Sequence, residues 1–216
     1  MMKVVIFAIV SVLIFAGCSS DDIITDSISK PAMSTWTSNE LKSGQMIYHH
    51  NYDNMDRGNH DLEGQIVLDL KYYHDRAISR GDIVYFTNPE TNKNLGKNSI
   101  SRVIGLPGEK IKMEKGQIYI NGKRLETFYG RAHRLGDDLE SLEKALERED
   151  FEEYIRKNIE NQVKYFRQQS MEEIKIPEDS VYLVGDDWFR SNDSRLFGPL
   201  PIDKIEGKVV GVIGSP

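Results

Sequence analysis

Short apolar runs broken by polar positions dominate the chain. Met46 to Tyr48, Gln65 to Leu70, Asp82 to Phe86, Ile100 to Ile104, Lys110 to Met113 and Gln117 to Ile120 each read as a strand. Val181 to Val184 and Lys208 to Ile213 add two more. Arg80-Gly81-Asp82, Leu106-Pro107-Gly108-Glu109 and Asn121-Gly122 separate them, and Asn-Gly is the strongest short hairpin signal a sequence carries. Many short strands joined by tight turns predict a mainly β, largely antiparallel fold.

One stretch departs from this pattern. From about Asp138 to Gln169, Leu139, Leu142, Leu146, Phe151, Ile155, Ile159, Val163 and Phe166 recur every three to five residues, which is helical spacing. Asp150 with Glu153 three positions later predicts a capping box opening a second helix, so a helical hairpin is inserted between strands. Its other faces are dense in Glu, Lys and Arg. The simpler reading is an insert that lays one apolar stripe on the β body; a lid or partner-binding element is the alternative.

The N-terminus reads Met1-Met2-Lys3 and then carries no charge from Val4 to Ser20, an export-signal pattern. Its apolar stretch, Val4 to Ala16, is shorter than the roughly 20 residues a spanning helix needs. It ends in Phe15-Ala16-Gly17-Cys18, and small residues before a cysteine resemble the bacterial lipobox, although Phe15 replaces the usual leucine. That resemblance implies a diacylglyceryl group on Cys18 and cleavage just before it. Two acyl chains suffice for stable membrane attachment, on the outer face of the cytoplasmic membrane or in the periplasm. Cys18 is the only cysteine, so it has no internal disulfide partner. An ordinary cleaved signal or a short anchor is the alternative.

Residues 1–18 are thus read as a signal peptide and 19–35 as a polar tether. Residues 36–128 and 174–216 form the β domain, and 129–173 the helical insertion. A chain of 216 residues with 39% apolar and 29% charged residues buries one ordinary core. Twenty-eight basic against 34 acidic residues, a formal charge of -6, argue against a nucleic-acid partner held by a basic field. No phosphate loop or nucleotide fingerprint is present. His49, His50 and His60 lack a companion ligand cluster and read as a solvated loop, so neither metal nor cofactor is expected.

Three linked segments carry the chemistry. The first is Arg80-Gly81-Asp82-Ile83-Val84-Tyr85-Phe86. The second is Ser101-Arg102-Val103-Ile104-Gly105-Leu106-Pro107-Gly108-Glu109, followed by Asn121-Gly122-Lys123. The third is Gly185-Asp186-Asp187-Trp188-Phe189-Arg190-Ser191-Asn192-Asp193-Ser194-Arg195, then Gly198-Pro199. In order and spacing they resemble the type I signal peptidases, whose segments read GDIVVF, KRVIGLPGD with a hairpin ending in NGK, and GDNxxxSxDSR. The resemblance implies the antiparallel β fold of that family and a serine endopeptidase that removes signal peptides from secreted preproteins.

In that family a serine in SMxPTL attacks and the lysine of KRVIG takes its proton, because an alcohol is a weak nucleophile without a base. Here the lysine position is Ser101, whose hydroxyl has no titration near neutral pH. Lys97, four residues upstream, lies about 13 Å away along an extended strand, on the same face. The serine position has two alignments: Ala32 if anchored on Met33, and Trp36 if anchored on Gly44. Ser34 and Ser38 are shifted candidates. By the resemblance, Ser191 orients the lysine, and Asp193 and Arg195 brace the site or simply stabilise the turn.

Two functions remain open on the sequence. One is a catalytically inactive relative that binds extended peptides or envelope partners. The other is an active signal peptidase with a non-standard nucleophile and base.

Overall fold

A computed structural model describes residues 23–26, 33–89 and 96–214. The export segment, Cys18 and Ala32 lie outside the described residues. In chain order the strands begin with β1 (Ile23–Ile24), β2 (Thr35–Trp36), β3 (Gln45–His50), β4 (Gly64–Asp69) and β5 (Ile83–Thr87). Next come β6 (Asn98–Gly105), β7 (Lys110–Glu114), β8 (Gln117–Ile120) and β9 (Lys123–Leu125). The pair β10 (His133–Arg134) and β11 (Asp137–Asp138) leads into helices α1 (Leu139–Leu146) and α2 (Glu153–Gln168). β12 (Met171–Lys175), β13 (Ser180–Val184), the short helix α3 (Ser194–Phe197), β14 (Leu200–Pro201) and β15 (Ile205–Ile213) follow.

The fold is mainly β, as the alternation predicts. One sheet runs β14-β13-β6-β5-β15-β4-β3, with β2 beside β15; the other runs β1-β9-β8-β7-β12. Only β1 against β9 and β2 against β15 are parallel among the described pairings. Asn121 and Gly122 both take positive φ, 52° and 77°, as a two-residue hairpin turn of this hand demands, and so close β8 onto β9.

The small sheet buries Ile111, Met113, Ile118, Ile120 and Leu125 against Leu142 of α1 and Ile159, Val163 and Phe166 of α2. The insertion therefore does lay one apolar stripe on the β body. Its reach extends to the turn after β13, since Trp188 and Val184 belong to the same cluster and Tyr165 Oη donates to Trp188 O at 2.9 Å.

Three local expectations are corrected. Asp150 does not cap α2: both its carboxylate oxygens are taken by Arg148, and the helix begins after Glu152 without a side-chain cap. His50 is not in a solvated loop; it ends β3 on the inward-facing side and is fully buried. The stretch read as a tether is docked at two places, because the edges of both sheets offer unpaired backbone groups. Ile23 and Ile24 pair with Arg124 and Leu125, Asp26 accepts from Tyr129 Oη, and Thr35 and Trp36 pair with Val212 and Ile213.

Candidate active site

Where β13 ends, Gly185 turns the chain into Asp186-Asp187-Trp188, and this turn meets β6 and the loop after β3. Asn54, in that loop, joins all three. Its Nδ2 donates to Ile100 O at 2.8 Å, and its carbonyl accepts from Asp187 N at 3.0 Å. His50 Nε2 lies 3.0 Å from Asn54 Oδ1, while its Nδ1 lies 2.8 Å from Leu62 O, so the amide is held from both sides. Burial holds the His50 ring below its ordinary pKa.

Ser101 follows Ile100 directly. It stands opposite Val84 across β5 and β6, in the apolar layer formed by Val84, Val103 and Leu183, and is 1% exposed. Its Oγ has no hydrogen-bond partner among the described residues. Ser191 Oγ lies 2.6 Å from Asp187 O and 2.9 Å from Asn54 O, so its one proton is committed to main-chain carbonyls. Asn54 and Ser191 meet through the Asn54 carbonyl, whereas the Ser101 hydroxyl lies in the Val84–Val103 layer, with no basic side chain bonded to it among the described residues.

Charged pairs hold the turn. Arg195 grips Asp193 in a fork, Nε to Oδ1 and Nη2 to Oδ2, both at 2.8 Å, and Asp193 Oδ2 accepts from Gly185 N at 2.9 Å. The Arg195 guanidinium also stacks on Trp188, 4.6 Å from the ring centre. Deeper in, Arg102 donates to Asp186 through Nε at 2.7 Å and Nη2 at 2.5 Å, and through Nη1 to Gly81 O at 2.8 Å.

Asp187 carries strain of another kind. Its Oδ1 accepts from the amides of Phe189 and Arg190, but its Oδ2 is buried without a partner among the described residues. Burial pushes the carboxyl up to about 6, against the lowering pull of those amides and Arg134. The folded state therefore keeps this proton above the unfolded value of 3.8, and stability falls as pH rises from 3.8 through about 6. Asp187→Asn keeps the Oδ1 acceptor and removes the buried charge. It is expected to exceed the wild type at pH 7 by up to ~3 kcal/mol, about two pKa units' worth, and to match it at pH 3.5. Denaturant titrations at the two pH values check this; a variant weaker than wild type at pH 7 defeats it.

The family model of the signal peptidases, peptidase S26, matches residues 40–213. This chain belongs to that family. It is 32% identical over 162 residues to signal peptidase I V of Bacillus subtilis, covering 71% of this chain and 75% of that protein. It is 29% identical over 148 residues to signal peptidase IB of Staphylococcus aureus, covering 67% of this chain and 65% of that protein. A crystal structure of a signal peptidase I from Enterococcus faecalis V583 is 26% identical, with a TM-score of 0.41 over 62% of this chain and 97% of that one.

The other candidates of this signal peptidase relative lie elsewhere. Trp36 sits on β2 beside Ile213, with its ring against Gly211. Ser34 and Ser38 are exposed, and the Ser34 carbonyl accepts from Val212 N. Lys97 is exposed just before β6, where its carbonyl accepts from Asn88 N. None of these is bonded to Ser101 or Ser191. Asn54 escaped the sequence reading, although a usable signal was present: Asn54-Met55 is a polar residue followed by a methionine, upstream of Gly64 at the head of β4.

Next to Asn54 opens a cavity of about 200 Å³, lined by Tyr52, Asn98, Ser99, Arg190 and Asn192 among others. Among the described residues no group of His, Cys, Asp or Glu side chains is arranged to hold a metal. No helix among them is long and apolar enough to cross a membrane.

Proposed function

We propose that this chain is a catalytically silent signal peptidase relative, anchored by lipid at Cys18, that binds extended peptides instead of cutting them. Asn54, rather than Ala32 or Trp36, occupies the place of the nucleophile, and Ser101 that of the base. The observation that carries the reading is Ser101: a buried hydroxyl packed on Val84 and Val103, where a proton acceptor is required. An amide at Asn54 is no nucleophile either.

The peptide lane is the open edge of β6. Ser99 and Ser101 turn their main-chain groups toward β5, so Asn98 and Ile100 turn theirs outward, and β13 covers that edge only from Arg102 onward. The Asn54 amide on Ile100 O fills one rung of this edge. Beyond it lies the cavity, where an extended segment can add as a further strand, gaining main-chain hydrogen bonds that need no catalytic dyad.

Ser34 and Ser38 are the rival nucleophiles, and Ser34 shares a cavity of about 300 Å³ with Lys208. Lys208 Nζ donates to Asp82 at 2.5 Å and to Tyr72 Oη at 3.3 Å, so it is bonded to these two groups and not to Ser34. Residues 19–216 incubated with a lipid-presented preprotein are expected to yield no cleavage while retaining saturable binding. Turnover that disappears in Ser34→Ala or Ser38→Ala would overturn the silent reading.

A further inference from the structure

Behind the candidate site two side chains stand in line between two main-chain carbonyls, and a neutral histidine leaves that line one proton short. Leu62 O faces His50 Nδ1 at 2.8 Å, His50 Nε2 faces Asn54 Oδ1 at 3.0 Å, and Asn54 Nδ2 faces Ile100 O at 2.8 Å. Carbonyl oxygens only accept, so each of these contacts needs a hydrogen from the other side. The amide nitrogen supplies the one on Ile100 O. The other two both fall to the His50 ring, yet a neutral imidazole carries a single N–H. Turning the amide over only moves the conflict to Ile100 O, where two oxygens would meet. The imidazolium alone satisfies the whole line.

His50 is fully buried at the end of β3, opposite Gly64 of β4. The Tyr52 ring lies 5.9 Å from the imidazole. Glu63 and Asp53 are the charged groups that act on it, and both favour the imidazolium. Each is already engaged, Asp53 by Arg190 at 2.6 Å and Glu63 by His60 at 3.2 Å; His60 also pairs with Asp56 at 2.7 Å. From the turn after β13, Asp187 reaches Asn54 O through its main-chain amide, while its carboxylate turns to Phe189 and Arg190. Burial outweighs the pull of the hydrogen bonds and carboxylates, so the ring takes up its second proton only below the ordinary value of 6.5.

The carbonyl at the end of this line belongs to the open edge of β6. An added strand needs Ile100 O for one of its main-chain N–H groups, and the Asn54 amide competes for it. With His50 neutral, a nitrogen lone pair opposes Oδ1 and the amide is loosely held. With His50 charged, Nε2–H fastens it. We propose that His50 and Asn54 form a proton-operated latch on the peptide lane, closed by protonation of His50 and released when the ring is neutral. The latch rests on the reading of β6 as a peptide lane, and it gives that lane a way to let peptide go on acidification.

The test uses the full chain in detergent micelles, with a purified secreted preprotein as probe. In nitrogen-15 spectra taken from about pH 7.5 down to about pH 4.5, both ring nitrogens of His50 are expected to become protonated. The Asn54 side-chain amide should shift with the same midpoint. Preprotein is expected to bind about fivefold more weakly at the acid end, the worth of one main-chain hydrogen bond. Asn54→Ala, which has no latch, should bind tightly at both ends. His50→Gln should bind weakly at both, because its amide N–H holds Oδ1 at any pH. A ring that stays neutral throughout, or an Asn54 amide that ignores the His50 step, overturns the latch whatever binds. An acid loss that survives in Asn54→Ala does the same, and this variant decides the matter if His50→Gln does not fold. Saturable binding absent from all three chains at both ends removes the lane instead, and the latch's role with it.

Discussion

Asp186→Ala is expected to destabilise the fold by about 3–5 kcal/mol, the range for deleting one partner of a buried ion pair. Both side chains of the Arg102–Asp186 pair are 2% exposed. Arg102 cannot swing out to water, since its guanidinium is packed 4.8 Å from the Phe128 ring centre and is tied to Gly81 O. Arg57, 3.7 Å from the same carboxylate, keeps Asp61 at 2.8 Å. The cost is thus chiefly that of the Arg102 cation left behind, and it predicts its own remedy. Arg102→Met combined with Asp186→Leu is expected to recover most of the loss, because an apolar pair of similar volume has no charge to desolvate. Urea midpoints of the single and double variants decide it; a double variant no better than Asp186→Ala refutes the account.

Gly185→Ala is expected to cost about 1–3 kcal/mol by overpacking and to open the candidate site locally. A methyl group there would overlap Ser191 Oγ and stand 2.7 Å from Asn54 O. The second contact is with main chain and yields only if the 51–57 loop moves away from the turn after β13. The amide of Asp187, which donates to Asn54 O, is the reporter. Its hydrogen exchange should accelerate far more than that of Leu183 within β13. An unchanged urea midpoint with unchanged exchange at Asp187 would show that the close approach at Gly185 does not hold the site together.

These sensitivities mark what the sequence could and could not convey. The strands at 83–87, 98–105 and 110–120 were legible because alternation repeats over enough positions to outweigh single exceptions. Ser101 and Ser191 were legible because intact motifs bracket them. β1 and β2 were not, since two residues carry no period and their pairing is set by vacancies on distant edges. Asn54 was hidden for a related reason. The stretch from Asn51 to His60 has the Asn, Asp and Gly of a loop, and its place depends on bonds to Ile100 and Asp187, far along the chain. The Asp150 cap failed because a neighbouring arginine competed for the same carboxylate, a choice that propensity cannot weigh.

The position of β15 governs the order of assembly. It lies between β4 and β5 and also receives β2, so the final described strand is an interior strand of the large sheet. A chain emerging from its N-terminus can close the β3–β4 and β5–β6 hairpins and the whole small sheet early. It must then carry two unpaired strand edges until residues 205–213 arrive to join them. Nucleation of the large sheet waits on contacts of very high sequence separation, which slows folding and leaves those edges available to other chains meanwhile. On the proposed export reading, that delay works in favour of passage: the half that would lock into a rigid sheet stays incomplete until nearly all of it has been delivered.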